Sequence, residues 1–446
     1  MASTVTHHRL DLKPVRAVRG LVPVPGDKSI SHRYVMLGSI AQGVTSVTHL
    51  SPGADVAATV ACMRALGVRI DDTGPGALTI HGRGRGGLRA SPTPIDAANS
   101  GTTMRLLAGI LAACPFSTTM IGDASLSKRP MRRIIEPLSV MGGSIEATDG
   151  HAPLIIRGGR LRPITWESKV ASAQVKSAIM LAGLVPPGVT TIVEPLATRD
   201  HSERAFPAFG LSVRTSAPPD GSLSPPSGPV TVSVEGGQEA QAPGRTLDVP
   251  GDPSSAAVWA AAAAGLPGSS VELTGVCLNP HRLGFIRALE RMGAAVTITV
   301  DDEVAGEKVG RIRVGHGQHL DATILPDEVP SLIDELPVLA ARAALGGRLE
   351  VSGASELRVK ESDRITALVT GFRAMGVTAD ERPDGFVIDG SKRPTGGTAD
   401  AASDHRLVMA FTLVALGSTG PSTVTDAGAV AVSYPAFAED LRRLTE

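Results

Sequence analysis

The sequence repeats a helix-ending pattern at intervals of roughly 70 to 80 residues, and this repeat restricts the possible folds more than any other feature. In each copy, a bulky apolar residue, two variable residues and another bulky apolar residue precede a glycine, and a strand-like stretch follows. A glycine there is typical of the residue after a helix, where the backbone turns left-handed. The copies are Met63 to Ile70, Leu138 to Ile145, Phe206 to Val213, Leu289 to Val296 and Phe372 to Ala379, with Gly67, Gly142, Gly210, Gly293 and Gly376. Phe437 to Leu444 is interpreted as a sixth such helix without its following strand.

A second set of predicted helices alternates with the first. These runs are apolar on nearly every side, which predicts burial, and their first turns carry small polar or charged residues. They begin near Lys28-Ser29, Asn99-Ser100, Ser172-Ala173, Ser254-Ser255, Leu332-Ile333 and Ser403-Asp404. Stretches rich in Val, Ile and Thr are predicted strands between the helices, such as Leu78 to His81, Pro229 to Val234 and Arg311 to Val314.

These patterns predict an α/β protein with six copies of one unit, each of two helices and several strands. Because 446 residues exceed the usual size of a single core, two domains are expected. Pro25-Gly26-Asp27 recurs as Pro250-Gly251-Asp252, which indicates two similar halves with a chain crossing just before each point. Ser216 to Pro229 is predicted to be a surface loop. A doubly wound fold is the commoner alternative, but here the polar residues mark six helix starts instead of one.

The composition is that of an ordinary soluble protein. A net charge of −1 and 42% hydrophobic residues give no general attraction to nucleic acid or membranes. The three cysteines lie in or beside apolar stretches without the spacing of a disulfide frame or zinc site. The N-terminal stretch lacks the apolar segment of a secretory signal, and Ala256 to Gly265 is too short to span a bilayer. A cytoplasmic location is therefore expected.

Basic residues gather at the predicted helix starts, where unpaired N–H groups already favour anions. They are Lys28, Arg33, Arg105, Lys176, Lys360, Arg364, His405 and Arg406, and Arg129 is predicted to begin another helix. If the inner helices of each half start on the same side, these groups form a site for small, multiply anionic ligands. Any single one could equally be solvated or paired with a surface carboxylate.

Three longer motifs occur in this order: Pro25 to Arg33 (PGDKSISHR), Asn99 to Arg105 (NSGTTMR) and Leu357 to Arg364 (LRVKESDR). They resemble the signatures of the 5-enolpyruvylshikimate-3-phosphate synthase family. Shorter matches are Ser172-Ala173-Gln174, Ile333-Asp334-Glu335 and Asp404-His405-Arg406. Each string is weak alone, but the ordered set is specific and covers the chain from about Pro23 onward.

The resemblance implies the enolpyruvyl transferase fold, an inside-out α/β barrel of two similar domains. Each domain would hold three βαβαββ units, with a two-strand hinge joining them and the active site in the cleft between them. The expected boundaries are 24–247 for one domain and 1–23 plus 248–446 for the other.

The family transfers the enolpyruvyl group of phosphoenolpyruvate to the 5-hydroxyl of shikimate 3-phosphate. The reaction releases phosphate through a tetrahedral ketal intermediate and is the sixth step of the shikimate pathway to chorismate and aromatic amino acids. The resemblance implies neither metal nor organic cofactor, and no nucleic-acid or membrane partner. We further expect a monomer that glyphosate inhibits.

The resemblance also assigns site residues. Catalytic roles fall to Lys28, Asp334, Glu361 and His405. Phosphoenolpyruvate would be bound by Lys28, Gly101, Arg129, Gln174, Arg364 and Arg406. Shikimate 3-phosphate would be bound by Ser29, Arg33, Ser172, Ala173, Gln174, Arg199, Asp334 and Lys360. Asp334 and Glu361 suit the base and the acid that the reaction needs. From the residues alone, Asp334-Glu335 is more simply an acidic helix start, and Lys360 to Arg364 a solvated ion pair.

The chain departs from the family pattern at four positions. Val432 stands where some members have a lysine, Leu106 where some have proline, Ala173 replaces a serine and Glu356 an asparagine. These features resemble the branch that includes glyphosate-tolerant enzymes. Gly101, however, is the small residue that leaves room for the inhibitor, so inhibition is still predicted.

Three other functions remain in competition. Transfer to UDP-N-acetylglucosamine would use the same fold but relies on a cysteine in a mobile polar loop, whereas Cys62 and Cys114 are predicted to be buried. RNA binding through Arg83 to Arg89 is disfavoured by only 12 aromatic residues, and the same segment lacks the following helix of a dinucleotide site. A silent binding module would not need both Asp334 and Glu361.

Overall fold

The computed structural model describes residues 5–6, 9–217, 223 and 228–445. These residues form a mixed α/β fold in two compact units. The N-terminal unit comprises Gly26–Pro250 together with Glu303–Glu307, and the C-terminal unit comprises Met1–Pro25, Gly251–Asp302 and Lys308–Glu446. Most of the loop predicted over Ser216 to Pro229 lies outside the described residues.

The described residues contain twelve α-helices and 24 strands. The helices are α1 Lys28–Ile40, α2 Ala54–Ala65, α3 Gly101–Leu111, α4 Arg132–Val140, α5 Ala173–Gly183, α6 His201–Ala208, α7 Pro253–Gly265, α8 Gly284–Arg291, α9 Leu336–Ala344, α10 Arg364–Ala374, α11 His405–Gly417 and α12 Phe437–Thr445. The strands are β1 Val5–Thr6, β2 Arg9–Leu12, β3 Arg19–Pro23, β4 Gln42–Thr48, β5 Arg69–Gly74, β6 Ala77–Arg83, β7 Ile95–Asp96, β8 Ser117–Ile121, β9 Ser144–Thr148, β10 His151–Arg157, β11 Thr165–Glu167, β12 Val189–Glu194, β13 Val213–Thr215, β14 Val230–Glu235, β15 Leu247–Asp248, β16 Ser270–Cys277, β17 Ala295–Val304, β18 Glu307–Gly315, β19 Ala322–Ile324, β20 Arg348–Val351, β21 Thr378–Arg382, β22 Gly385–Asp389, β23 Thr398–Asp400 and β24 Ser422–Thr425.

The odd-numbered helices form the core, as their apolar sequences predict. Every residue of α7 and α11 is buried, and α3 packs along α5 while α9 packs along α11. Short polar side chains cap these helices: Asp27 accepts from the Ile30 N–H at the start of α1, and Ser100 from the Thr103 N–H at the start of α3. Such caps satisfy N–H groups that a buried helix end would otherwise leave unpaired.

The even-numbered helices end as the repeated pattern predicts. Gly67, Gly142, Gly210, Gly293 and Gly376 all follow a helix with φ between +70° and +103°. In each case, the N–H of the next residue bonds to the carbonyl of the first apolar residue of the pattern, as from Val68 to Met63. This is the six-to-one bond of a Schellman ending, and the two apolar side chains around it are buried. The predicted helix over Phe437 to Leu444 is also present, as α12.

We expect alanine at these glycines to destabilise the fold to an extent set by the free space. At Gly210 a Cβ atom would have 3.8 Å to the nearest side chain, so Gly210→Ala adds mainly backbone strain of about 1 kcal/mol. At Gly142 a Cβ atom would lie 3.1 Å from the Arg160 carbonyl oxygen, so Gly142→Ala should cost more. Both sites belong to the N-terminal unit. Urea denaturation of the two variants checks the order, and equal losses would contradict it.

The described strands form six four-stranded sheets of one design. In each sheet the strand that follows an inner helix lies between a parallel leading strand and an antiparallel hairpin strand, as in the order β7-β8-β10-β9. Two leading strands are exchanged. Although β3 leads into α1, it pairs with β16, and β15, which leads into α7, pairs with β4. The chain therefore changes unit after Pro25 and again after Pro250.

The sixth sheet is completed from the other end of the chain. It has the order β1-β2-β24-β23, so β1 and β2 take the place that a hairpin after α12 would fill in the other units. The strand predicted to be missing after α12 is thus supplied by the N-terminal segment.

Two predicted helix starts are wrong, and proline explains both. The helix predicted near Leu332-Ile333 begins at Leu336, because Pro337 lacks an N–H and is tolerated only in a helix's first turn. Arg129 does not begin a helix: it is extended, with φ −80° and ψ 140°, and α4 starts at Arg132. A residue directly before proline, here Pro130, avoids helical geometry.

None of the described helices is both long and apolar enough to cross a membrane.

Candidate active site

The starts of α1, α3 and α5 lie together in the N-terminal unit. The Nζ of Lys28, the first residue of α1, is 3.0 Å from the Asp55 carboxylate on α2. The Gln174 side chain on α5 donates to the Thr102 hydroxyl on α3, at 2.9 Å. Arg105, one turn into α3, donates to the Gln174 side-chain oxygen at 2.6 Å. Residues that are far apart in the sequence are therefore joined at one set of helix starts.

Two guanidinium groups flank Gly101, the first residue of α3. A Cβ atom built on Gly101 would lie 3.0 Å from one Arg105 nitrogen and 3.5 Å from one Arg129 nitrogen. Both arginines are nearly buried, and Arg129 donates to the Asn99 side chain at 2.6 Å. A small anion beside Gly101 would face two positive charges and the N-terminus of α3.

Arg33 lies one turn further along α1 and holds three elements together. It donates to the Ser202 and Ser177 hydroxyls at 2.8 Å each, and to the Ser29 carbonyl at 2.8 Å. Burial lowers the pKa of Arg33 to about 10, although Glu203 and Asp27 oppose the shift, so the group stays charged at neutral pH. The nearby charge of Arg199 also contributes to the lowering. Ser172 caps α5, and Ala173 is its first residue.

A second group of predicted site residues surrounds Arg364 in the C-terminal unit. The Arg364 guanidinium contacts the carboxylates of Asp404 at 2.7 Å, Glu361 at 2.5 Å and Asp334 at 3.4 Å. Burial alone would lower the pKa of Arg364, but these three carboxylates outweigh it and raise the pKa, so the cation is permanent. The alternative of a solvated ion pair is therefore wrong, since Arg364 is 1% exposed.

Lys360 adds positive charge to the same group, and His405 and Arg406 follow Asp404 in the sequence. The Lys360 Nζ lies 3.6 Å from the Asp334 carboxylate. His405 and Arg406 open α11 and are buried, with the Arg406 N–H capped by Asp404 at 2.9 Å. The Arg406 Nε atom is buried and has no hydrogen-bond partner among the described residues. A buried cationic group in this state favours an anionic partner.

The predicted site residues thus form two sets, one in each unit. Lys28, Ser29, Arg33, Gly101, Arg129, Ser172, Ala173, Gln174 and Arg199 belong to the N-terminal unit. Asp334, Lys360, Glu361, Arg364, His405 and Arg406 belong to the C-terminal unit. The residues assigned by family resemblance do not include Arg105, Asp55 or Asp404, although Arg105 is among the basic residues predicted at the helix starts. Arg105 and Asp404 lie inside quoted motifs and could have been included, whereas only the fold places Asp55 beside Lys28.

The residues that would serve the two competing functions, transfer to UDP-N-acetylglucosamine and RNA binding, have structural roles. Burial raises the pKa of Cys62 to about 12 and of Cys114 to about 11, so neither supplies a thiolate at neutral pH. In the segment Arg83 to Arg89, Arg85 donates to the Leu181 carbonyl at 3.3 Å and Arg89 to the Gly86 carbonyl at 2.9 Å. These arginines close the end of one helix and a short turn. No cluster of three or more His, Cys, Asp or Glu that could hold a metal occurs among the described residues.

Comparison with known proteins identifies the family of the chain. Residues 12–441 match the family model described as EPSP synthase (3-phosphoshikimate 1-carboxyvinyltransferase). A 3-phosphoshikimate 1-carboxyvinyltransferase of Acidithiobacillus ferrooxidans is 48% identical over 96% of this chain and 95% of its own length. One from Lactiplantibacillus plantarum is 44% identical over 98% and 99%. The solved EPSP synthase of Acinetobacter baumannii superposes with a TM-score of 0.84 at 40% identity, covering 98% of each chain. The chain therefore belongs to the EPSP synthase family.

Proposed function

We propose that the protein transfers the enolpyruvyl group of phosphoenolpyruvate to the 5-hydroxyl of shikimate 3-phosphate and releases phosphate. The observation that carries the proposal is the gathering of the family signatures at buried helix starts within a family match that spans residues 12–441. Both substrates carry phosphate and carboxylate groups, which suit such starts. Phosphoenolpyruvate is consumed as a substrate, so the reaction needs no resident organic cofactor.

The two sets of residues suit different parts of this reaction. In the N-terminal set, Lys28 begins α1, and the guanidinium groups of Arg105 and Arg129 flank the first residue of α3, where backbone N–H groups also favour anions. We therefore assign most of the substrate-anion binding to it. Shikimate 3-phosphate would be bound near Ser29, Arg33, Ser172, Ala173, Gln174 and Arg199, and phosphoenolpyruvate near Lys28, Gly101, Arg129 and Gln174.

The C-terminal set combines carboxylates with cations and suits proton transfer. The carboxylates of Asp334, Glu361 and Asp404 contact the Arg364 guanidinium, and Asp334 also lies 3.6 Å from the Lys360 Nζ. We assign Asp334 as the base for the attacking hydroxyl and Glu361 as the acid that protonates the methylene carbon. Arg364, tied to both carboxylates, keeps them in position, and Arg406 and His405 would contact the phosphoenolpyruvate anion. Fixed cations then stabilise the charge of the tetrahedral intermediate.

Phosphate release distinguishes this function from its competitors. The purified protein is mixed with phosphoenolpyruvate alone, with shikimate 3-phosphate, or with UDP-N-acetylglucosamine. We expect phosphate and the enolpyruvyl product only with shikimate 3-phosphate. Release with the nucleotide sugar would assign the other acceptor, and no release with either would overturn the proposal.

We also propose that the protein is a monomer, because every residue assigned to the site comes from one chain. Sedimentation of the active protein tests this oligomeric state.

We also propose that glyphosate inhibits the enzyme by occupying the phosphoenolpyruvate position beside Gly101. Gly101→Ala should raise the inhibitory concentration by about tenfold or more, because the new methyl group would press against Arg105 at 3.0 Å. The measurement is the inhibition constant against phosphoenolpyruvate, with Gly86→Ala as a control, since a Cβ there has no neighbour within 4 Å. An unchanged constant in Gly101→Ala would contradict the assignment.

A further inference from the structure

A buried lysine contacts two buried carboxylates in the N-terminal unit, on the same helix that carries Ala173 and Gln174. Lys176, on the second turn of α5, is 2% exposed. Its Nζ lies 2.6 Å from a Glu194 carboxylate oxygen and 2.7 Å from a Glu203 carboxylate oxygen. Burial alone would lower the pKa of Lys176, but Glu203 and Glu194 outweigh it and raise the pKa, so the ammonium stays charged. We name these three residues the Lys176 triad.

The two carboxylates of the triad stand at the ends of one connecting segment. Glu194 is the last residue of β12, and Glu203 lies in the first turn of α6. Arg199, assigned above to shikimate 3-phosphate, lies between them. The Thr198 hydroxyl donates to the second Glu194 oxygen at 2.6 Å, and this bond is buried. The segment between Glu194 and Glu203 is thus held to α5 at both ends by Lys176. Within it, Thr198, the residue before Arg199, is bonded to Glu194.

The same triad adjoins the residues that hold Arg33. Ser177 follows Lys176, and Ser202 precedes Glu203 in the sequence. Both hydroxyls accept from Arg33 at 2.8 Å, and they lie 2.7 Å from each other. A shift of α6 relative to α5 would therefore separate the two acceptors of Arg33 and move Arg199 at the same time.

Stability alone does not account for such a triad. Removing an ammonium and two carboxylates from water costs several kcal/mol, and well-packed apolar residues often stabilise a core equally well. Buried ionic groups do fix geometry, because any displacement leaves a charge without its partner. The Lys176 triad joins α5 to both ends of the segment that carries Arg199, and its neighbours Ser177 and Ser202 accept from Arg33.

We propose that Lys176, with Glu194 and Glu203, is a positioning residue that sets the affinity for shikimate 3-phosphate. It holds the segment between β12 and α6 so that Arg199 and Arg33 are placed together for the acceptor's anionic groups. The inference depends on the proposed function. It predicts a selective effect: binding of the acceptor depends on the triad, and binding of phosphoenolpyruvate does not.

The test neutralises the triad without leaving a buried charge. In the triple variant Lys176→Met, Glu194→Gln, Glu203→Gln, we expect the KM for shikimate 3-phosphate to rise about tenfold, equivalent to the loss of one or two ordered contacts. The KM for phosphoenolpyruvate should change by less than about twofold, within the usual effect of a distant substitution. Arg85→Met is the matched control, because it removes a partly buried cation of the same unit that contacts α5 at the Leu181 carbonyl, away from the assigned residues.

Equal increases in both KM values, or the same acceptor effect in Arg85→Met, would overturn the proposal. If the triple variant does not fold, Thr198→Val removes only the bond to Glu194, and its acceptor KM should rise about threefold. An unchanged KM there would also overturn it. Calorimetric titration of wild-type protein with shikimate 3-phosphate separates the two hypotheses: without wild-type binding the proposed function fails, whereas binding that is equally tight in the variant refutes only the role of the triad.

Discussion

Replacing Glu361 with glutamine is expected to lower kcat by about 10²- to 10⁴-fold, the usual contribution of a general acid. Glutamine keeps the size of the side chain and can still accept the hydrogen bond that Glu361 receives from Arg364. It cannot deliver a proton to the methylene carbon. Arg364 retains Asp404 and Asp334 as partners, so we expect the fold to persist. Steady-state kinetics at saturating substrates, with thermal unfolding in parallel, measures the effect.

The matched control for Glu361 is Glu350→Gln. Glu350 also pairs with an arginine of the same unit, Arg348, at 3.0 Å, but each of these side chains is nearly half exposed. An exposed pair contributes little, so kcat should be nearly unchanged. Near-normal turnover in Glu361→Gln would show that another group protonates the substrate. A loss of the folded state in Glu361→Gln, with Glu350→Gln unaffected, would assign Glu361 a structural role instead.

Replacing Lys28 with methionine is expected to reduce kcat/KM for phosphoenolpyruvate by about 10²- to 10³-fold, as for removal of one preorganised charge-stabilising donor. Lys28 begins α1, so its ammonium adds to the positive end of a buried helix, and Asp55 holds it at 3.0 Å. Methionine preserves most of the side-chain packing and removes the charge. The physical reason for the loss is that the phosphate oxygen gains negative charge as its bond to C2 breaks, and a fixed ammonium group would stabilise that charge.

The double variant Lys28→Met, Asp55→Asn controls for the carboxylate that the single variant leaves without its cation. If the double variant folds as stably as wild type and remains inactive, the lost charge is responsible. Lys392→Met, at an exposed position of the C-terminal unit, should leave kcat/KM unchanged. Near-normal kcat/KM in Lys28→Met would show that Lys28 is misassigned.

The repeat predicted the architecture because its signals are local. A glycine after an apolar pair ends a helix through bonds within six residues, as at Gly67 and Gly376, and an all-round apolar run must be buried wherever it lies. The two wrong helix starts are also local errors, since Pro130 and Pro337 are visible in the sequence. Pro130 keeps Arg129 extended, and Pro337 confines the start of α9 to the residues just before it.

The exchange of leading strands between sheets could not be predicted from local sequence patterns. Nothing within β3 indicates that it pairs with β16, more than 200 residues away, instead of with the strand after α1. Strand pairing depends on which edge is unoccupied once the helices have packed. The same holds for β1 and β2, which complete the sheet of the last unit.

For the site, the sequence by itself predicted helix starts near Lys28, Gly101, Ala173 and His405, and the ordered signatures indicated their chemistry. Only the tertiary structure decided which carboxylate faces which cation: Asp55 beside Lys28, Asp404 beside Arg364, and Glu194 with Glu203 around Lys176. The physical reason is the difference in sequence separation between the groups that interact. Capping and helix ending act between neighbours in the chain, whereas an ion pair forms between any two groups that packing brings within about 4 Å.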